Sequence, residues 1–166
     1  MNFPRQNNAE QIELKKSDLL SSGWSFGARK NAYERLLSTG FPTSRDEYWK
    51  YTNPVTLTKK NVDKSPVIED QAADIFTIAN PVKIVFVNGV YAPEKSDKCD
   101  TSEIVIEQLS DIKKLDFHWA KDIYGRYESL GQDPVPRPLA AYNTAFANDG
   151  IVINVKDCIE RPINII

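Results

Sequence analysis

Apolar residues recur at spacings of three and four in several stretches of the chain, which is the pattern of amphipathic helices. The clearest predicted helix covers residues 25–38, and its apolar side is formed by Phe26, Arg29, Tyr33, Leu36 and Leu37. Arg29 can belong to this side because its aliphatic stem packs on apolar neighbours. Gly40 follows the last turn, where a left-handed cap is favoured. Further helices are predicted over residues 9–20, 118–130 and 139–147.

Runs of β-branched and aromatic residues predict strands in the rest of the chain. The clearest strand covers residues 82–87, and Asn88-Gly89 directly after it is a strong hairpin signal. Residues 109–115 fit either a helix or a strand. Other strands are predicted over residues 55–58, 104–106, 151–155 and 162–166. Because the last two follow each other closely, they indicate the opening of a stacked β-structure whose core continues beyond Ile166.

A short helix that carries three large aromatic residues is predicted after the first long helix. Ser44 and Glu47 have the spacing of a capping box, so this helix should begin at Arg45. The aromatic residues are Tyr48, Trp49 and Tyr51. Their spacing favours packing onto the preceding helix, and contact of Arg45 or Lys50 with a partner protein is the alternative interpretation.

The overall composition is that of a globular protein with little net charge. Hydrophobic residues make up 41% and charged residues 27% of the chain, which argues against disorder. The 21 basic and 23 acidic residues give a net charge of -2, so neither nucleic acid nor an anionic membrane is an expected partner. No apolar run approaches the ~20 residues of a membrane-spanning helix, and the N-terminus lacks the apolar core of a secretory signal. We therefore expect a cytoplasmic protein.

Residues that could carry chemistry are few and scattered. The two cysteines, Cys99 and Cys158, lie far apart and form no CxxC pair, and His118 is the single histidine. An iron–sulfur cluster held within one chain normally needs about four ligands. The sequence contains no phosphate-binding loop, zinc-protease motif or nucleophile elbow. We therefore predict that the chain is not an enzyme and has no catalytic residue, metal site or cofactor of its own.

Four segments, taken in order, resemble landmarks of the SufB/SufD family, and of its SufD branch in particular. They are Gly40–Thr43, Glu47–Thr52, Phe86–Tyr91 and Leu139–Val155, with Tyr142 where the family usually has Leu. Residues 45–50 favour SufD over SufB, whose N-terminal region reads differently. The family-motif residues that are also candidates for contact with a partner are Phe41, Pro42, Arg45, Glu47, Trp49, Lys50, Tyr51, Asn88, Gly89, Asn143, Phe146 and Gly150.

The resemblance implies a scaffold role in iron–sulfur cluster assembly. SufD pairs with the similar SufB through right-handed parallel β-helices, both bind the ATPase SufC, and the complex handles the cluster transiently. The expected fold class is α+β, with N-terminal helices and a small β region that leads into a right-handed parallel β-helix, mostly beyond the chain end. The predicted domains are a helical region over 1–60, a mixed α/β region over 61–148 and the first β-helix strands over 149–166.

Two other functions remain open on the residues alone. The chain is consistent with the N-terminal part of a β-helical carbohydrate-active enzyme, whose catalytic carboxylates would follow in the β-helix. It is also consistent with a small self-contained α+β binding domain, if Ile166 is the natural end. The continuation of the gene separates these interpretations, because a glycan enzyme should show carboxylate clusters and a SufD a C-terminal helical stretch.

Overall fold

The computed structural model describes residues 12, 16, 19, 21–58, 80–98, 103–130 and 135–166. The chain divides into two compact units, each built from two separate stretches. The first unit is formed by residues 1–63 and 113–147, and the second by residues 64–112 and 148–166. The predicted helix over residues 9–20 lies for the most part outside the described residues.

The first unit is helical, and the second contains the strands of the described residues together with one short helix at residues 109–112. The helices are α1 (Phe26–Thr39), α2 (Val55–Thr58), α3 (Leu109–Ile112), α4 (Arg126–Leu130) and α5 (Pro138–Phe146). Short 3-10 turns cover Glu47–Trp49, Pro93–Lys95 and Trp119–Asp122. The strands are β1 (Val82–Ile84), β2 (Phe86–Val87), β3 (Val90–Tyr91), β4 (Ile104–Gln108), β5 (Ile151–Val155) and β6 (Ile163–Ile165). The predicted mixed α+β class is confirmed for this part of the chain.

The core of the first unit lies where α1 packs against α5. Both helices were predicted from their apolar periodicity, and their bounds agree with the prediction to within one residue. Gly40 has the positive φ expected of it, 69°, and donates its N–H to the carbonyl of Leu36 at 2.8 Å. The buried residues of this core are Ile12, Ala32, Tyr33, Leu36, Phe41, Ala141 and Ala145. The three alanines allow close approach of the helices, and the larger side chains fill the space around them.

Inside this core lies a charged side chain, Arg29, which is 1% exposed. Its Nε donates to the hydroxyl of Ser25 at 3.0 Å, and its Nη1 donates to the carbonyls of Ala145 and Ala147 at 3.2 and 2.9 Å. Its guanidinium carbon lies 5.1 Å from the ring centroid of Tyr124. The last carbonyls of a helix have no partner within the helix, so Arg29 supplies the missing donors at the end of α5.

Burial acts on both members of the pair that Arg29 forms with Tyr124. It lowers the pKa of Arg29 from its usual value, and the nearby Tyr124 opposes this change. It raises the pKa of Tyr124, whose hydroxyl donates to the carbonyl of Thr144 at 2.8 Å. Arginine stays protonated in folded proteins, and the pKa of Tyr124 is raised, so at neutral pH Arg29 is a cation and Tyr124 is the neutral donor that its bond to Thr144 requires.

The helix predicted over residues 118–130 is wrong, because the chain breaks at its middle. A 3-10 turn ends at Asp122 and α4 begins at Arg126. Between them Gly125 has a φ of 70°, and a Cβ there would lie 2.9 Å from the methyl group of Thr144. The close approach of α5 therefore requires a glycine in a left-handed conformation, which ends one helical segment and starts another.

The strand predicted over residues 55–58 is also wrong, since these residues form the single helical turn α2. The side chain of Asn53 accepts a hydrogen bond from the N–H of Val55 at 3.0 Å, and Pro54 follows Asn53 directly. An Asn cap followed by proline is a helix start. This local signal outweighs the β-propensity of the Val-Thr-Leu-Thr run.

The predicted Ser44–Glu47 capping box is wrong, and the side-chain contact before the aromatic turn lies one residue earlier, between Thr43 and Asp46. The carboxylate of Asp46 accepts the N–H of Thr43 at 2.7 Å and the Thr43 hydroxyl at 3.3 Å. Ser44 is exposed, and the turn that follows is a 3-10 turn that starts at Glu47 rather than an α-helix from Arg45. The shorter Asp side chain therefore takes the role assigned to Glu47.

The second unit contains three two-stranded sheets among its described residues. β1 pairs with β6 in parallel, while β2 pairs with β3 and β4 with β5 in antiparallel fashion. The strand predicted over residues 82–87 is interrupted at Val85, since its two halves take different partners. Asn88 and Gly89 have positive φ values of 52° and 77°, which confirms the predicted hairpin. The strands predicted near residues 104, 151 and 162 are confirmed, and residues 109–112 form a helix.

A carboxylate at the start of β5 connects three parts of the second unit. Asp149 accepts the N–H of Tyr91 at 2.9 Å and the side-chain amide of Gln108 at 3.0 Å. Beside it, the carbonyl of Gly150 accepts the N–H of Leu109 at 2.8 Å. Burial alone would raise the pKa of Asp149, but the hydrogen bonds from Tyr91, Gln108 and nearby amides outweigh it and lower the pKa.

Replacing Arg29 should destabilise the protein strongly. Arg29→Met fills much of the space but leaves the Ala145 and Ala147 carbonyls without their donor, so we expect a loss of about 3–5 kcal/mol. Lys30→Met is the matched control, because Lys30 is exposed and its Nζ lies 4.0 Å from Glu34; it should change stability by less than about 0.5 kcal/mol. Urea unfolding measures both, and equal midpoints for the two variants would contradict the role of Arg29.

The contact between Thr43 and Asp46 predicts unequal effects of substitutions at Asp46 and at Ser44. Asp46→Ala removes the acceptor of the Thr43 N–H and should cost about 1 kcal/mol. Ser44→Ala removes an exposed hydroxyl and should change stability by less than about 0.5 kcal/mol. Thermal or urea unfolding of the two variants checks this, and a larger cost for Ser44→Ala would support the original Ser44–Glu47 assignment instead.

The lowered pKa of Asp149 predicts a pH-dependent contribution to stability. Such a carboxylate stabilises the fold above its unfolded pKa of about 3.9, and this contribution is lost as the pH falls through the lower folded value. Asp149→Asn should therefore be less stable than the wild type at pH 7, and the difference should shrink in acid. Glu94→Gln, at an exposed position, controls for the loss of one negative charge. A difference that stays constant between pH 7 and pH 3 would contradict the prediction.

Candidate protein-interaction surface

The aromatic turn Glu47–Trp49 and the residues just after it present large side chains to solvent. Tyr48 is 74% exposed and Tyr51 is 91% exposed, while Trp49 is half-buried. In a 3-10 turn, consecutive side chains point about 120° apart, so neighbouring aromatic residues cannot all face the same helix. The predicted packing onto the preceding helix is therefore wrong for the two tyrosines.

A groove of about 340 Å³ lies beside this turn. Tyr48 and Trp49 line one part of it, and the rest is lined by residues 135–140, which lead into α5 and form its first turn. Two of these residues, Pro136 and Pro138, have fixed backbone φ angles. The groove therefore has walls of restricted mobility, and most of its lining is apolar.

The charged residue in the groove lining is basic, and the aromatic turn beside it carries charges of both signs. Arg137 belongs to the lining, and the exposed Arg45 and Lys50 flank the aromatic turn in sequence, together with the exposed Glu47. The Nζ atom of Lys50 lies 5.4 Å from the ring centroid of Tyr51, which is a cation–π distance. Arg45, Glu47, Trp49, Lys50 and Tyr51 are thus accessible at least in part, as residues of a contact surface must be.

Three other residues predicted as candidates for contact are structural instead. Phe41 is 4% exposed, and its ring centroid lies 5.6 Å from that of Tyr142 in the core. Pro42 is buried. Phe146 packs edge-on against Tyr33 with centroids 6.0 Å apart. These residues hold α1, α5 and the start of the aromatic turn together, and they offer little surface to a partner.

The remaining predicted residues lie apart from the groove or in the second unit. Asn143 is an exposed position of α5. Asn88 and Gly89 form the exposed hairpin turn between β2 and β3. Gly150 supplies the carbonyl that Leu109 binds. Of the predicted set, Trp49 lines the groove, and Arg45, Glu47, Lys50 and Tyr51 are its neighbours in sequence.

A second group of exposed apolar side chains follows residue 114 and continues through the region of the predicted helix over residues 118–130. Phe117 is 87% exposed and Tyr127 is 85% exposed, and the group also contains Leu115, Trp119, Ile123 and Leu130. The glycine at position 125, inside the predicted helix, was the sequence signal that a regular helix would not form here.

The residues able to bind metals are dispersed. His118 accepts the N–H of Ala120 on its Nδ1 at 3.2 Å and so caps the 3-10 turn that follows it. Cys158 is an exposed thiol, and Cys99 lies outside the described residues. Within the described ranges, His, Cys, Asp and Glu form no group of three that could hold a metal ion. None of the helices in those ranges combines the length and apolar character needed to span a bilayer.

Comparison with known proteins identifies a family but no individual relative. No curated protein matches the chain. The family described as the SufBD protein N-terminal region matches residues 6–165, which is nearly the whole chain. The four segments that resemble SufB/SufD landmarks all lie within this match. The chain therefore belongs to the SufB/SufD family, which acts in iron–sulfur cluster assembly by the SUF system.

Proposed function

We propose that this chain is the N-terminal region of a SufD-type scaffold, which acts in the cytoplasm with SufB and the ATPase SufC. The observation that carries the proposal is the family match over residues 6–165. Residues 45–50, whose sequence resembles SufD rather than SufB, support the choice between the two branches. The right-handed parallel β-helix that the family resemblance implies would follow the strands described above.

A scaffold role agrees with the chemistry of the described residues better than catalysis does. The exposed Tyr48 and Tyr51 are side chains of the kind that dominate protein interfaces. Two charged residues with several specific contacts, Arg29 and Asp149, bind backbone groups within the fold, and Asp149 also binds the side chain of Gln108. In this proposal the iron–sulfur cluster is cargo of the complex, and its ligands come from other parts of that complex.

The carbohydrate-active alternative has lost its support, because the family match accounts for the same segments without it. A self-contained binding domain is compatible with the family match only if it works without SufB and SufC. The test of the proposal is therefore whether those two partners bind.

Co-expression with SufB and SufC from the same host tests the proposal. We expect the tagged, complete gene product to retain both partners through size-exclusion chromatography, because a scaffold must hold them together. Residues 1–166 expressed with SufC alone should not retain it, since the family resemblance places the SufC contact in later parts of the protein. Failure of the complete product to retain SufB would contradict the SufD assignment, and capture of SufC by residues 1–166 alone would contradict the proposed location of that contact.

A further inference from the structure

We propose that the groove beside Trp49 binds a short acidic segment of a partner protein. A large apolar side chain of that segment would occupy the groove, and a neighbouring carboxylate would bind Arg137. The inference rests on the proposed function only in taking the occupant to be a protein. The proposed contact lies in the first unit. It is different from the SufC contact, which the family resemblance places in later parts of the protein.

The apolar half of this proposal follows from the lining of the groove. The half-buried Trp49 and the 74%-exposed Tyr48 face a segment that contains Val135, two prolines and Leu139. A volume of about 340 Å³ lies at the small end of binding pockets and suits one or two side chains rather than a large cofactor. Aromatic rings and prolines lose little conformational freedom when a partner binds, so such a surface binds at low entropic cost.

The acidic half follows from the charges. Arg137 is the charged residue among those that line the groove, and its exposed guanidinium is of the kind that binds carboxylates through parallel N–H bonds. In the aromatic turn and its flanks the charges are mixed, because Arg45 and Lys50 stand beside Asp46 and Glu47. The cation in the groove lining therefore favours a carboxylate over a second cation.

A protein segment fits this geometry better than a lipid surface. Apolar side chains that insert into a membrane protrude along one face, with basic residues around them. Here the indole of Trp49 is half-buried and forms one wall of a depression, so it encloses a side chain instead of inserting into a layer. Membrane binding through the same residues is nevertheless a distinct outcome that the experiment can detect.

The test uses a short acetylated and amidated peptide with one Phe between two Glu residues, labelled for fluorescence anisotropy, and the full-length protein. One control peptide has Lys in place of both Glu residues, and another has Ala in place of Phe. The groove variants are Tyr48→Ala and Arg137→Glu, both at exposed positions where folding should be unaffected. Their matched controls are Tyr127→Ala and Arg126→Glu, which change an exposed tyrosine and an exposed arginine outside the groove lining.

We expect the Glu–Phe–Glu peptide to bind with a Kd below about 1 mM and both control peptides to bind at least about tenfold more weakly. Each groove variant should weaken binding about tenfold, while Tyr127→Ala and Arg126→Glu should leave it unchanged. In heteronuclear NMR spectra, the indole N–H signal of Trp49 should shift on addition of the peptide, with the signal assigned through Trp49→Phe.

Absence of binding at about 1 mM, equal binding of the lysine peptide, or equal losses in groove and control variants would overturn the proposal. Binding of anionic phosphatidylserine vesicles that depends on Tyr48 and Arg137, without peptide binding, would overturn it in favour of a membrane contact. These outcomes are independent of SufB and SufC capture, so failure of the groove proposal can be told apart from failure of the SufD assignment.

Discussion

The guanidinium of Arg29 contacts three parts of the first unit at once. It binds Ser25 at the start of α1, the carbonyls of Ala145 and Ala147 at the end of α5, and the ring of Tyr124 between them. A buried cation is costly unless its partners are in place, so the arrangement of these elements and the burial of Arg29 depend on each other. Tyr124, which follows the 3-10 turn Trp119–Asp122, binds the carbonyl of Thr144 and contacts the ring of Trp24 edge-on. The network therefore connects this turn with the start of α1 and with α5.

The helices of this network could be predicted from the sequence, but their central contact could not. Periodicity places Arg29 on the apolar side of α1, and the expected role was packing of its aliphatic stem. Burial of the charged group needs carbonyl acceptors that lie 116 and 118 residues away in sequence. Local patterns carry no information about such partners. The break at Gly125 differs, because the glycine is a local signal, although its physical reason, the close approach of Thr144 in α5, is not visible in the sequence.

Part of the candidate site could likewise be predicted from the sequence, and part could not. The sequence identifies the aromatic cluster around Trp49 and its charged neighbours, but it does not determine which rings are buried. Residues 47–49 form a 3-10 turn instead of the predicted regular helix, and Tyr48 and Tyr51 are exposed to solvent. The second wall of the groove comes from residues 135–140, which are distant in sequence and offer no local signal of their role.

The buried and exposed residues of the family motif are connected by a short stretch of chain. Phe41 and Pro42 are fixed in the core, and the bond from the Thr43 N–H to Asp46 follows directly. The exposed aromatic turn therefore starts from a rigid point, and its rings would need little ordering in the proposed contact with a partner. Arg29 contributes from the other side, because it holds α5, whose first turn forms the opposite wall. In the proposed contact, the core would thus reduce the entropic cost of binding at the groove.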